Sequence, residues 1–156
     1  MVYFEDRGSV YPAPIETVWD FMQKDEEFHP RAHHATLRNM EAKKLSPVTW
    51  LLRYETRDER RRRWNRYVSR LTEIRPSARI LEQLEGPDAG TTTVHLYTPR
   101  GNRTAVNVLC YLRSPGRSLA VARRAMLRRY ANAYAEDLPY FRQFVRKHPK
   151  GLGPGP

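Results

Sequence analysis

The residues best suited to chemistry in this chain are five histidines, a single cysteine and a scattered set of tyrosines and tryptophans, among 156 residues. His29 and His33 stand four apart, which on a helix puts both imidazoles on one face, where they could hold a metal. A metal site needs further ligands, however, and no HExxH-like context surrounds the pair, while Pro30 falls between them. Neither a metal nor a cofactor is expected. His95 shares one side of an alternating segment with Thr91, Thr93 and Tyr97, and the other side carries Val94 and Leu96. If the apolar side turns inward, as expected, His95 is outside and inert. With the polar side inward, His95 and Tyr97 become an acid/base pair suited to enol chemistry.

Asp137 falls on the apolar stripe of a C-terminal helical pattern. A carboxylate buried there would titrate high and act as an acid or base; pairing with one of the many arginines is the expected arrangement. Cys110 lies among apolar residues and reads as an inert core thiol. The chain shows no Ser/His/Asp or Cys/His constellation, so no catalytic residue is assigned and a noncatalytic protein is favoured.

The formal net charge is +11, from 28 Lys and Arg against 17 Asp and Glu. Clustered cations bind phosphate through counterion release, so nucleic acid is one reading. The run Arg60-Arg61-Arg62-Arg63 is the densest cluster, but it follows a turn and reads as a solvated hairpin tip. No RNP1-like segment, zinc knuckle or GXXG loop accompanies it, so no specific nucleic-acid partner is expected; peripheral contact with an anionic membrane stays open. One cysteine precludes an intramolecular disulfide and agrees with a reducing compartment. The N-terminal MVYFEDRGSV carries charges where a signal peptide needs an apolar run, and no stretch nears the ~20 apolar residues of a spanning helix. The expected location is cytoplasmic, for a monomer or homodimer.

These groups are positioned by a simple order of elements. Val2 to Tyr11 reads as a strand ended by Pro12 and Pro14, and Ile15, Val18, Trp19 and Met22 then recur at helical spacing through Lys24. A second short helix is expected from Asp25 to about His34. From residue 36 the period changes to two, with strands at about 36–44, 48–57, 61–74, 78–85, 91–98 and 103–113 separated by turn residues such as Arg75-Pro76-Ser77 and Gly86-Pro87-Asp88-Ala89-Gly90. Joints this short imply an antiparallel meander. Val48, Trp50, Leu52 and Tyr54 share one face, as do Val106, Val108, Cys110 and Leu112. In the 61–74 strand Trp64 and Val68 lie with Arg66 and Arg70, while Tyr67 and Leu71 lie on the other side, and the pattern does not settle which faces in. A helix over about 118–147 gathers Leu119, Met126, Leu127, Tyr130, Tyr134, Phe141 and Phe144 into one stripe, with Pro139 expected to kink it. One apolar sheet face and one apolar helix stripe must cover each other.

Strand, two short helices, six-strand meander and long C-terminal helix, with Ala13-Pro14-Ile15-Glu16-Thr17-Val18-Trp19 and Phe28-His29-Pro30-Arg31-Ala32-His33 as local marks, resemble the START / Bet v 1-like (SRPBCC) superfamily, in particular its polyketide cyclase-like branch. Glu85-Gly86-Pro87 and Arg103-Thr104-Ala105-Val106 are similar to its later hairpin and last strand. The resemblance implies an α+β helix-grip fold over residues 1–150, with 151–156 a flexible tail: a seven-stranded curved antiparallel sheet, two short helices and a long C-terminal helix enclosing a cavity. It implies a hydrophobic small-molecule ligand such as a lipid or polyketide, or alternatively a cyclase or dehydratase activity. Residues expected to line the cavity are Phe28 and His33 near its mouth, and Trp50, Leu52, Tyr54, Trp64 and Val68 on the meander. Val108 and Cys110 on the last strand, and Met126, Tyr130 and Tyr134 on the long helix, complete the expected lining.

Overall fold

The computed structural model describes residues 2–24, 34–58, 61–113 and 118–149. Its elements run β1 (Val2–Tyr11), α1 (Ile15–Lys24), β2 (Leu37–Ser46), β3 (Thr49–Asp58), β4 (Arg63–Ile74), β5 (Ala78–Glu85), β6 (Thr92–Arg100), β7 (Arg103–Leu112) and α2 (Leu119–Lys147). The seven strands form one antiparallel sheet in the order β1-β7-β6-β5-β4-β3-β2. Strands β2 to β7 are thus a meander, and β1 returns to close beside the last strand. The second short helix expected from Asp25, and the tail 151–156, lie outside the described residues.

Turn chemistry sets the registers. Gly101 adopts φ 61° in the tight link that pairs Arg100 with Arg103, so β6 runs past the expected turn at Pro99. Pro99 is tolerated there because β5 pairs β6 only as far as Leu96, leaving that side of Pro99 without a ladder partner. Gly86 follows β5 at φ 117°, where an added Cβ would stand 2.8 Å from the Tyr67 ring and 2.9 Å from the Arg66 carbonyl. Only glycine lets the chain pass so close at that dihedral.

One core joins α1 and α2 to the β1 end of the sheet. Trp19, Phe21, Phe141 and Phe144 are fully buried. Phe21 meets Phe141 edge-on at 5.1 Å and Phe144 at 5.7 Å. Burying side chains of this size is worth about 2–3 kcal/mol each, which fixes the two helices to one another. A second cluster, Cys110, Leu112 and Ala122, with Met126, Leu127 and Tyr130 packed against it, holds the first half of α2 to β7. Pro139 lies inside α2 without ending it.

Candidate functional site: the hollow between sheet and helix

Directly opposite residues in an antiparallel pair share a face. Starting from buried Val106 and Val108, the register carries the inner face through Tyr97 and His95 on β6 to Arg79 and Leu81 on β5. It continues through Ser69, Leu71 and Glu73 on β4 to Trp50, Leu52 and Tyr54 on β3. The backbone of α2 lies closest to β1 among the strands, so the β3–β6 half of this face is the less tightly covered part. Trp50, Leu52, Leu81 and Tyr130 belong to that half or face it from α2, yet all four remain half-buried. Large apolar groups that point inward without being fully covered make this half of the face the candidate site, called the hollow below. A separate groove of about 260 Å³, lined by Pro12, Phe141, Arg142, Val145 and Arg146, lies at the other end of α2 and plays no part in it.

The hollow carries oriented polar groups. Tyr54 is buried, stacks on Tyr67 at 5.6 Å, and its hydroxyl meets Ser69 at 2.9 Å and donates to Gln83 Oε1 at 3.1 Å. Tyr130 donates to Thr93 Oγ1 at 3.4 Å, and Thr93 donates to the Cys110 sulfur at 3.6 Å. Burial pushes the Cys110 thiol up, so it is a neutral core group. The Glu73 carboxylate lies 3.5 Å from Arg79; burial raises the Glu73 pKa, while Arg79 and Arg75 oppose that rise. The Arg79 guanidinium lies beside Tyr97, whose phenol burial keeps protonated.

His95 contradicts its expected position. The inner side of β6 carries Thr93 and Tyr97, both buried, with half-buried His95 between them, and buried Thr91 just before the strand; Leu96 is exposed on the outside. The ring of His95 meets Tyr130 edge-on at 6.0 Å. Burial, and after it the Arg79 charge, lower its pKa from 6.5 to about 4. Polar side chains can turn inward here because each has a local partner: Thr91 donates to the Arg113 carbonyl, Thr93 to Cys110, and Tyr97 meets Arg79.

Trp64 and Val68 are corrected in the opposite direction. Trp64 pairs across to Arg57, and Val68 to Arg53, so both belong to the outer face. There Arg38 covers the Trp64 ring at 4.0 Å and also bonds Glu55 at 2.7 Å. Arg66, with 92% of its side chain exposed, and Arg70, paired to Glu82, occupy that same side and need water. The buried set Tyr67, Ser69 and Leu71 therefore takes the inside. Tyr134 packs on α2 against Tyr11 and donates to the Val10 carbonyl at 2.6 Å, which puts it at the β1 contact. Val108, Cys110 and Met126 lie at the α2–β7 side of the inner face. Phe28 and His33 lie outside the described residues.

A second polar group sits at the β1 end. Buried Tyr11 donates to Asp137 Oδ2 at 3.1 Å, and burial, with Asp137 adding to it, drives the Tyr11 pKa far up. His34 contacts Glu136 at 2.7 Å and Asp137 at 3.5 Å. Tyr11 and His34 are thus two of the groups that Asp137 meets. Glu73, Arg79, Leu81 and Gln83 were missed from sequence altogether. Strand β5 alternates polar and apolar residues on both faces, so the sole signal was that Glu73 and Arg79 flank the Arg75-Pro76-Ser77 turn symmetrically.

Comparison with solved structures agrees with this architecture. The Zhui aromatase/cyclase from Streptomyces sp. R1128 superposes with a TM-score of 0.65 at 15% identity, over 99% of this chain and 99% of that one. Ara h 8.0201 superposes at 0.72 with 8% identity, over 91% of this chain and 98% of that one. Human STARD10 superposes at 0.67 with 13% identity, over 96% and 67%. The chain spans about half of the di-domain aromatase/cyclases it resembles, 52% in the case of StfQ from the steffimycin biosynthetic pathway. No family model matches the sequence, and no curated protein matches it. The protein has the helix-grip fold common to the START, Bet v 1-like and aromatase/cyclase structures. Among the described residues no helix is long and apolar enough to cross a membrane, and no cluster of three His, Cys, Asp or Glu is placed to hold a metal.

Proposed function

We propose that the protein binds an apolar small molecule in the hollow between the β3–β6 face and α2, as a carrier or sensor. The observation that carries this reading is the half-buried state of Trp50, Leu52, Leu81 and Tyr130, which face inward. In a tightly packed two-layer core such residues would be fully covered, and leaving them partly uncovered is unfavourable unless something fills the space. The fold neighbours support the reading, since they include aromatase/cyclases and a START protein. Organic extraction of the purified protein followed by mass spectrometry should recover an apolar small molecule near one equivalent. The stripped protein should also blue-shift the emission of Nile red. Protein that yields no extract and leaves Nile red unshifted would refute binding in the hollow.

A second reading, an enzyme of the cyclase or dehydratase kind, is favoured by the inward position of His95. An imidazole held to a pKa of about 4 is unprotonated at neutral pH and can accept a proton or a hydrogen bond. Arg79, beside it in the β5–β6 register, would stabilise an enolate oxygen.

A further inference from the structure

Two buried N–H donors, on α1 and β5, have no hydrogen-bond acceptor among the described residues: Nε1 of Trp19 and Nε of Arg79. Both border the same side chain. The Trp19 ring, fully buried on α1, meets Tyr97 edge-on at 5.3 Å. The Arg79 guanidinium approaches Tyr97 from β5, and its Nη1 donates to the Met22 carbonyl, one turn beyond Trp19, at 3.5 Å. Glu73 Oε1 stands 3.5 Å from Arg79 Nε, which is an ion-pair contact without hydrogen-bond geometry.

Unmet buried donors are destabilising, and native structures rarely tolerate two beside one ring. A bound acceptor would relieve both. The charge around them decides what kind of acceptor. Arg79 faces Glu73, and Arg75 faces Asp20 at 3.3 Å, so both cations are already compensated. The site therefore offers hydrogen-bonding capacity without net positive charge, which suits a neutral oxygen better than an anion that must be desolvated. We propose that Trp19, Arg79 and Tyr97 form a head-group subsite that receives a neutral carbonyl oxygen, of the ketone or ester type, at the leading end of an apolar ligand. The inference rests on the binding function proposed above and adds to it the chemical class of the ligand. The body of the molecule lies against Leu81, Leu52 and Trp50.

Near-isosteric probes separate the two ideas. Titration of the stripped protein with 2-acetylnaphthalene and 2-ethylnaphthalene should show the ketone binding about tenfold tighter, the worth of two hydrogen bonds to a neutral acceptor. The preference should fall to about threefold in Arg79→Met, which keeps the Trp19 donor. In Trp19→Phe, which deletes one donor and keeps an aromatic ring, it should fall by about half on a logarithmic scale. The preference is read as the ratio of the two affinities within each variant, so a general loss of binding does not register as a loss of the subsite, and Trp19→Phe serves if Arg79→Met does not fold. Equal binding of the two naphthalenes by the native protein overturns the subsite while leaving the hollow intact. Tightest binding of 2-naphthoate overturns the neutral-carbonyl assignment in favour of an anion. Binding of none of the three overturns the subsite and the hollow together.

Discussion

Replacing His95 with glutamine tests the inner face of the sheet directly. In the folded chain burial and Arg79 hold the imidazole pKa at about 4, against 6.5 when it is free in water. Below pH 6.5 the unfolded chain therefore takes up a proton that the folded chain refuses. His95 is neutral in both states above pH 7 and contributes no pH dependence there. As the pH falls from 6.5 to 4 the unfolded state gains, so acid destabilises the fold. Linkage gives a loss of about 1.4 kcal/mol at pH 5.5 and about 2.5 kcal/mol at pH 4.5, as upper values for a group that keeps some contact with solvent. Other titrating groups contribute to the same curve, so the informative quantity is the difference between wild type and His95→Gln. Urea unfolding at pH 7.5, 5.5 and 4.5 measures it. The wild type should lose about 2 kcal/mol more than the variant on going from pH 7.5 to 4.5, at unchanged m-value. Parallel pH profiles for the two proteins would mean that His95 titrates in water, and the inward assignment of β6 would be wrong.

Other substitutions probe the remaining assignments. Trp50→Ala should weaken Nile red binding severalfold, while Trp64→Ala should leave binding within twofold, because Trp64 lies under Arg38 on the outer face; the reverse result would exchange the two faces of β4. Tyr11→Phe removes the donor to buried Asp137 and should cost about 1.5–3 kcal/mol, read as a drop of roughly 4–10 °C in Tm by calorimetry. A change below 1 °C would show that Asp137 is fully satisfied without Tyr11.

Most of the fold was legible in the sequence because its signals are local. The period-two runs and the turn residues between them placed strands β2 to β7 within a few residues, and the helical stripe from Leu119 to Val145 marked α2 as a partner for the sheet. Short joints sufficed to make the meander antiparallel. The site was less legible. Where a strand has one apolar and one polar side, as β3 and β7 do, the inward residues Trp50, Leu52, Val108 and Cys110 could be named correctly.

By itself, then, the sequence determined the element order, the antiparallel sheet, the pairing of sheet face with helix stripe, and the core character of Cys110. Tertiary structure alone decided three things. It turned the polar side of β6 inward, because Thr93, His95 and Tyr97 find partners on neighbouring strands and on α2 that no one-dimensional pattern contains. It put Trp64 and Val68 outside, because Arg66 and Arg70 on their side of β4 must reach water. It brought Trp19, Arg79 and Tyr97 together from α1, β5 and β6, since contacts between residues so far apart along the chain are set by packing and register.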